Sequence, residues 1–224
     1  KESLHDYEKA LAQAAILPVA CEIEGQALTR ALTPMGDAST SLLVDFGKRR
    51  AGVVIAQSGI VHFSATVPFG GMHVNKTIMD TFHVSEDEAE KMKRDQKSVP
   101  AARAQEFTSL VCSSLSVLAD EINKYKLYWE DHKDARGEEH QKIDRVILCG
   151  GSSNVTDIDH CLATAVQIPV EQGNPWRNFL SFKEEVPTLP KDQSLRYATA
   201  IGLALRGAAQ VSHVRSSPHI ILHD

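Results

Sequence analysis

The stretch that decides the fold runs from residue 41 to residue 67 and reads SLLVDFGKRRAGVVIAQSGIVHFSATV. It opens with consecutive apolar residues, which is typical of a strand that is buried on both faces. Two β-rich runs follow, and the Ser58-Gly59 pair between them is typical of a hairpin turn. The stretch therefore predicts a three-stranded meander, with strands at about 41–46, 52–57 and 60–67.

After the meander the periodicity becomes helical. Apolar residues recur on one helix face over 74–82, which predicts a helix there. Ser85 precedes three acidic residues, and this is typical of a helix start because the hydroxyl caps backbone N–H groups and negative charge suits the helix dipole. A long helix is expected over 100–125, and the charged residues 130–142 are expected to form an exposed loop.

A second buried strand is predicted at RVILCGGSS, residues 145–153, where a glycine pair ends an apolar run. The remaining segments predict two helices at the start of the chain, over 4–15 and 23–32. Downstream we expect a helix over 154–166, the short strand IPVEQ at 168–172, a loop over 173–192 and a last helix at about 194–206. A poorly ordered tail is expected over 208–224, with an edge strand at HIILHD as an option.

This order of elements predicts an α/β fold with a mixed sheet, in which a three-strand meander is followed by alternating helices and strands. The pattern fits one half of the actin-like (ribonuclease H-type) ATPase architecture, although pattern alone leaves other mixed α/β folds open. The composition, with 224 residues, 42% hydrophobic and 24% charged, excludes wholesale disorder. The net charge of −5 gives no indication of a nucleic-acid partner.

The sequence shows no signal peptide and no apolar run as long as a membrane span, which requires about 18 residues. The chain begins with Lys1 rather than methionine, which suggests a fragment or a processed chain. Its four cysteines match no zinc or redox spacing, so four reduced and mostly buried thiols in a cytosolic protein are expected: Cys21, Cys112, Cys149 and Cys161.

Two glycine-bearing turns carry the candidate chemistry. Asp45-Phe46-Gly47 ends a predicted buried strand, where an aspartate can reach a metal ion and a glycine lets the backbone approach a phosphate. Gly150-Gly151-Ser152 lies between a strand and a helix, where the helix N-terminus favours anions. Each motif alone is a weak signal that ordinary turn chemistry explains more often than a ligand site, and it is their combination around the meander that is specific.

Taken in order, these motifs resemble the PilM family of cytoplasmic type IV pilus assembly proteins, relatives of the cell-division protein FtsA and of actin. The resemblance covers nearly all of residues 1–207. The matching stretches are LAQAAILPVACEIEGQALTRAL, LLVDFGKRRAGVVIAQSGIVHFSATVPFGG, VSEDEAEKMK, IDRVILCGGSSNVTDID and YATAIGLALRG. The resemblance implies that residues 1–40 end a first actin-like domain, that 41–192 form a second one with a peripheral lobe at about 72–130, that 193–207 form a second connecting helix and that 208–224 form a tail.

The resemblance also implies an ATP and Mg²⁺ site. Asp45 would face the magnesium, and Gly47 and Lys48 would lie on the phosphate side. Gly150, Gly151 and Ser152 fall on the adenosine motif, and Gly70-Gly71 on the turn that enters the peripheral lobe. Glu90 and Lys93 match an E-x-x-K pair beside the adenosine, which residue spacing alone would assign to a surface ion pair. Glu24 lies near the position of a water-orienting, catalytic polar residue.

Two departures from the family pattern predict weak nucleotide binding by this chain. Ala51 stands where relatives carry a threonine, and the first phosphate motif of the family does not occur in the sequence. The implied function is a scaffold of type IV pilus assembly, at most a slow ATPase, in which ATP is a conformational ligand. Its partner would be a cytoplasmic peptide of the PilN type, the protein would reach the inner membrane only through partners, and self-association is possible. An FtsA-like filament protein and a sugar-kinase-type phosphotransferase remain the alternatives.

Overall fold

The computed structural model describes residues 2–133, 137–178 and 189–216. Its centre is a five-stranded mixed sheet with the strand order β3-β2-β1-β4-β5. The strands are β1 (Thr40–Phe46), β2 (Ala51–Gln57), β3 (Ile60–Val67), β4 (Arg145–Cys149) and β5 (Val170–Gln172). β1 pairs antiparallel with β2 and parallel with β4, so the predicted meander and the later parallel strands share one sheet.

Nine α-helices lie within the described part of the chain. They are α1 (Glu2–Gln13), α2 (Glu24–Leu32), α3 (Gly71–Phe82), α4 (Glu86–Arg94), α5 (Ala104–Ser114), α6 (Ser116–Asp131), α7 (Ile158–Val166), α8 (Lys191–Ser194) and α9 (Ala198–Ser216). The Ser85 side chain caps α4 as predicted, because its hydroxyl accepts a hydrogen bond from the backbone N–H of Glu88.

The strands β1, β2 and β4 are covered on both faces, as the uninterrupted apolar runs predicted, whereas β3 at the sheet edge is largely exposed. Alternate residues of β1 and β2 point to opposite sides, because side chains alternate along a strand. Val44 and Ala51 therefore belong to the larger core, which contains helices α3 to α7. Leu43 and Val54 belong to the smaller core, which is formed with α2 and the start of α9.

Helices α2 and α9 cross over the smaller core at very close range. A side chain at Gly202 of α9 would overlap the backbone of Ala27 in α2, so the two helices touch backbone to backbone. Arg30 donates one hydrogen bond to the Gly202 carbonyl at 2.8 Å. The buried carboxylate of Glu22 accepts from Arg30 at 2.7 Å and from Arg206 at 2.8 Å, which ties the two helices together.

The long helix predicted over 100–125 is wrong as a single element, because the chain forms α5 and α6 with a break at Leu115. The Ser114 hydroxyl donates to the carbonyl of Val111 at 2.7 Å, and the N–H of Leu115 is shared between Val111 and Cys112. A side-chain hydroxyl that competes for a helix carbonyl and a tightened last turn end α5 at this point.

Three further boundaries differ from the prediction. The helix predicted over 154–166 begins only at Ile158, because Asp157 has a left-handed backbone with φ 58°. The last helix does not end near residue 206, since α9 continues to Ser216, so the first part of the predicted poorly ordered tail is helical. α6 likewise extends into the loop predicted over 130–142. Most of the loop predicted over 173–192 and the HIILHD segment lie outside the described residues.

The prediction of four reduced thiols is wrong for two of them. Cys112 of α5 and Cys161 of α7 form a disulfide, and their Cα atoms lie 5.1 Å apart, within the ordinary range for such a bond. Cys21 is a free, exposed thiol and Cys149 a free, buried one. Burial raises the pKa of the Cys149 thiol well above its usual value. The paired cysteines are far apart in sequence, so spacing alone could not have revealed the bond.

Candidate functional site

The two predicted glycine turns meet at one edge of the sheet. Asp45 near the end of β1 stands opposite Cys149 at the end of β4, because the two strands run parallel. Gly150 follows with φ +89°, and a side chain on it would overlap the Asp45 carboxylate. The N–H of Ser152 donates to the carbonyl of Phe46 at 2.9 Å. Asp45 and Gly150, more than 100 residues apart in the sequence, are therefore in contact at this edge.

The third predicted turn, Gly70-Gly71, packs directly on the first. The N–H of Gly71 donates to the carbonyl of Gly47 at 3.0 Å, and the N–H of Met72 donates to the carbonyl of Lys48 at 2.8 Å. A Cβ atom on Gly70 would lie 2.6 Å from the Lys48 carbonyl oxygen, so this contact requires a residue without a side chain. The three turns, distant in sequence, thus form one continuous backbone surface.

A cavity of about 350 Å³ opens beside these turns. Five of the residues predicted from the sequence line it: Lys48, Glu90, Lys93, Gly151 and Ser152. A Cβ atom on Gly151 would meet no other atom within 4 Å, so this glycine borders open space. Lys48 also pairs with Glu86 at 3.2 Å, and both of these side chains are largely exposed.

The Glu90–Lys93 pair is not the exposed surface pair that helical spacing alone would suggest. The Lys93 side chain is 2% exposed, and its Nζ lies 2.5 Å from Glu90 Oε2. Burial lowers the pKa of Lys93, and the hydrogen bond with Glu90 only partly opposes this. For Glu90, burial acts to raise the pKa, but hydrogen bonds from Lys93 and Asn75 outweigh it and the pKa is lowered. The site therefore holds an ionised carboxylate at its wall.

Asp45 lies in a different electrostatic environment. Burial and the negative charge of Glu24 raise the pKa of Asp45 to about 6, while Arg50 acts in the opposite direction. Glu24 begins α2 and accepts a 3.4 Å hydrogen bond from the Thr199 hydroxyl of α9. Glu24 does not line the cavity beside Lys93; it borders a separate cavity of about 360 Å³ between α2 and the strands β2 and β3.

The residue at position 51 does not bear on the site as expected. The Ala51 side chain is fully buried in the larger core, whereas Asp45 stands opposite Gly52, whose missing side chain would lie 3.8 Å from the Asp45 Cβ. A hydroxyl at position 51 would therefore point into the core and away from Asp45. A threonine at position 51 would not place its hydroxyl next to Asp45, so the alanine in this chain costs the site no hydrogen-bond donor there.

Five further lining residues were not predicted as part of the site: Asn75, Glu86, Asp87, Arg94 and Arg196. Glu86, Asp87 and Arg94 lie on α4 with Glu90 and Lys93. Asn75 of α3 is buried and reaches the cavity wall beneath Glu90. Arg196 precedes α9 and enters the cavity from the opposite end of the chain, with an exposed side chain. The only signal for Asn75 was a polar residue beside the apolar face of a predicted helix. Nothing local in the sequence indicated Arg196.

A family model described as "Type IV pilus assembly protein PilM" matches residues 1–208. The chain belongs to the PilM family. No curated protein matches the sequence. Among solved structures, a PilM–PilN type IV pilus biogenesis complex is similar over 92% of this PilM-family chain and 58% of the other chain, with 19% identity and a TM-score of 0.69. The present chain thus spans little more than half the length of that neighbour.

Other similar structures support the actin-like fold of this PilM-family chain. MreB5 of Spiroplasma citri bound to AMPPNP matches with 13% identity and a TM-score of 0.63, over 96% of this chain and 67% of the other. The ethanolamine utilization protein EutJ of Carboxydothermus hydrogenoformans matches with 19% identity and a TM-score of 0.60, over 87% and 57%. Together with the mixed sheet, these similarities show that the predicted actin-like fold is correct.

Within the described residues, no helix is long and apolar enough to cross a membrane. Nor do three or more His, Cys, Asp or Glu side chains in that part of the structure come together as a metal site. Asp45 is a carboxylate at the edge where the glycine turns meet. Its chemistry fits Mg²⁺, which is commonly held by one or two carboxylates together with the phosphates of a nucleotide.

Proposed function

We propose that this PilM-family chain binds ATP with Mg²⁺ and that ATP acts as a conformational ligand of a type IV pilus assembly scaffold. The observation that carries the proposal is the contact of three glycine turns beside a cavity walled by Glu90 and Lys93. Glycines at a helix start suit a phosphate chain because they let the phosphates approach the backbone closely. The ionised Glu90 suits hydroxyl donors such as those of a ribose.

Within this proposal the residues have distinct tasks. Asp45 would hold the Mg²⁺, which when bound neutralises phosphate charge. Gly47, Lys48 and the Gly70-Gly71 turn would lie along the phosphates. Gly150, Gly151, Ser152, Glu90 and Lys93 would contact the adenosine. Glu24, which borders a separate cavity between α2 and the strands β2 and β3, would be the water-orienting residue.

A scaffold role is favoured over phosphoryl transfer because the chain belongs to a family of pilus assembly proteins. A kinase must hold an acceptor hydroxyl in line with the γ-phosphate. A scaffold needs only a ligand that prefers one of two conformations, and a difference of about 2–3 kcal/mol shifts such an equilibrium substantially. The proposed partner is a PilN-like cytoplasmic peptide, supported by the similarity to a PilM–PilN complex.

The proposal includes the domain division that the family resemblance implies. Residues 1–40 would belong to a first domain with α2 as the inter-domain helix, 41–192 to the second domain with its lobe at about 72–130, and 193–207 to the second connecting helix. The crossing of α2 and α9 over the smaller core supports this division. Membrane proximity would arise through the partner alone.

The decisive experiment for ATP binding compares two substitutions at Gly151 in the complete protein. Gly151→Trp fills the open space beside this residue and should abolish ATP binding in calorimetry, while thermal unfolding stays unchanged. Gly151→Ala is the matched control and should bind ATP within about threefold of the wild type. ATP binding by the tryptophan variant at wild-type affinity would overturn the location of the site.

The scaffold role is tested by measuring ATP turnover and peptide binding on one preparation. Turnover should lie far below the roughly 1–100 s⁻¹ of kinases. ATP should change the affinity for a PilN-like peptide several-fold, which corresponds to a coupling of about 1 kcal/mol or more. Rapid ATP consumption stimulated by a sugar, with no effect of ATP on peptide binding, would instead support the phosphotransferase alternative.

A further inference from the structure

Asn75 occupies a position in α3 that core packing alone does not explain. Its side chain is 3% exposed, and its neighbours on the buried face of α3 are Val74 and Ile78. The amide nitrogen donates to Glu90 Oε2 at 2.8 Å. The amide oxygen is buried and has no hydrogen-bond partner among the residues that the structure describes. A buried carbonyl without a donor destabilises a fold, whereas an apolar side chain of similar volume would not.

The orientation of this amide follows from its neighbour. Turning it over would point the carbonyl oxygen at the Glu90 carboxylate, where two acceptors would repel each other. The nitrogen must therefore face Glu90. The amide oxygen then points the other way and is left without a donor. Asn75 accordingly lowers the free energy of unfolding of the core and in return provides a fixed hydrogen bond to Glu90.

The other partners of Glu90 come from its own helix. Lys93 Nζ binds Oε2 at 2.5 Å and Arg94 Nε binds Oε1 at 2.6 Å, and both residues lie on α4 with Glu90. Both contacts are made within α4, and the only contact of these two side chains with α3 that the structure describes is the 3.5 Å distance from Lys93 Nζ to the Gly71 carbonyl. Asn75 is the direct link, within the described structure, between the Glu90 carboxylate and the neighbouring helix α3. It therefore fixes where the carboxylate stands relative to the Gly70-Gly71 turn, from which α3 begins.

The Glu90 carboxylate has one hydrogen-bond acceptor position that the described residues do not fill. Each carboxylate oxygen can accept about two hydrogen bonds. Oε2 receives both of its donors, from Asn75 and Lys93, while Oε1 receives one from Arg94. One acceptor direction on Oε1 remains, on a side chain that lines the cavity and is 35% exposed.

We propose that Asn75 is a positioning residue that orients Glu90 so that Oε1 accepts a hydrogen bond from a ribose hydroxyl of the bound nucleotide. This inference rests on the proposed nucleotide site and adds to it the determinant of discrimination between ribose and its deoxy forms. Without Asn75, Oε2 loses one donor, and the carboxylate keeps only an indirect link to α3 through the long 3.5 Å contact of Lys93 Nζ with the Gly71 carbonyl. The affinity for a nucleotide without ribose hydroxyls should not fall when Asn75 is replaced, because such a nucleotide makes no hydrogen bond to Glu90.

The test measures the Kd of ATP and of 2′,3′-dideoxy-ATP in the complete protein by calorimetry. The wild type should prefer ATP about tenfold or more, as expected for a hydrogen bond to a charged acceptor. Asn75→Leu should weaken ATP binding about tenfold, leave dideoxy-ATP within twofold, and keep or raise the unfolding temperature. Lys76→Ala, an exposed neighbour on α3, is the control and should change neither affinity. If the leucine variant does not fold, Asn75→Ser should show the same loss of preference.

A double-mutant cycle separates positioning from packing. In a Glu90→Ala background, Asn75→Leu should cause no further loss of ATP affinity, because its effect passes through Glu90. Equal weakening of both nucleotides by Asn75→Leu, or additive effects of the two substitutions, would overturn the positioning role. If Asn75→Leu still prefers ATP over dideoxy-ATP as strongly as the wild type, the positioning role is also overturned, but the proposed nucleotide site is not. A wild type that binds neither nucleotide would instead refute the proposed function itself, and the inference with it.

Discussion

Asp45 and Cys149 stand side by side at the ends of two parallel strands, and this pairing sets the Asp45 carboxylate against the backbone of Gly150. Strands β1 and β4 come from distant parts of the chain, yet their carboxyl ends share one edge because they run parallel. Each end is followed by a glycine turn. The site is thus assembled at the one place in the sheet where both turns can meet.

The two glycines of the second turn should respond in opposite ways to alanine. Gly150→Ala introduces a side chain at φ +89° and against Asp45, so it should lower the free energy of unfolding by about 2 kcal/mol or more. Gly151→Ala faces open space and should change that free energy by less than about 0.5 kcal/mol. Urea denaturation of the two variants checks this. Equal stability of both would show that Gly150 is not packed against Asp45.

Asp45 should make stability depend on pH. Burial raises the pKa of Asp45 to about 6, above the ordinary value of about 3.9 for an aspartate, so the fold favours the protonated acid. This contribution is fully present below about pH 4 and is lost as the pH rises through 6. Asp45→Asn should therefore be more stable than the wild type at pH 8, by at most about 3 kcal/mol, with no difference at pH 4.

Urea denaturation of both proteins across this pH range measures the difference. Asp80→Asn, an exposed residue of α3, is the control and should follow the wild type at every pH. A wild-type protein as stable as Asp45→Asn at pH 8 would contradict the buried, charged environment of Asp45. At pH 8 the same variant should also lose the Mg²⁺ dependence of ATP binding.

Arg196 should contribute charge to the cavity. Arg196→Gln should weaken ATP binding several-fold at low salt, with a smaller effect at high salt, because the exposed guanidinium is screened. Calorimetry at two salt concentrations measures this. Lys191→Gln removes an exposed cation of α8 that does not line the cavity, and it should leave ATP binding unchanged. Similar losses from both substitutions would indicate a general charge effect and no local contact.

The disulfide gives a chemical prediction. Denatured protein prepared without reductant should show two reactive thiols, those of Cys21 and Cys149, and four after reduction. Loss of the Cys112–Cys161 bond should lower the free energy of unfolding by about 2–4 kcal/mol, because the unfolded chain gains freedom. Four thiols before reduction would restore the original expectation of a fully reduced protein, as is usual in a reducing cytosol.

The strands of this fold could be predicted closely because local chemistry defines them. An apolar run and the Ser58-Gly59 turn placed the three strands of the meander within about one residue of their observed ends. The break at Leu115 could not be predicted in the same way. It depends on whether the Ser114 hydroxyl turns back to the helix backbone, and the sequence allows either orientation.

The site was predictable where glycines mark it and not where side chains arrive from elsewhere. Gly47, Gly70 and Gly150 signal close backbone contacts through their own residue type. Asn75 and Arg196 carry no such mark, because their role depends on which elements the fold brings to the cavity. The disulfide between α5 and α7 was missed for the same reason.

The contact between Gly202 and Ala27 limits how α2 can move against α9. With no side chain between the two backbones, the helices cannot slide past each other without a collision of main-chain atoms. Contacts of Thr199 with Glu24 and of Arg206 with Glu22 lie on either side of Gly202 and oppose rotation about the point of contact. Any displacement that ATP imposes on the segment before α2 would then reach α9 as well, because the two helices can move only as one unit.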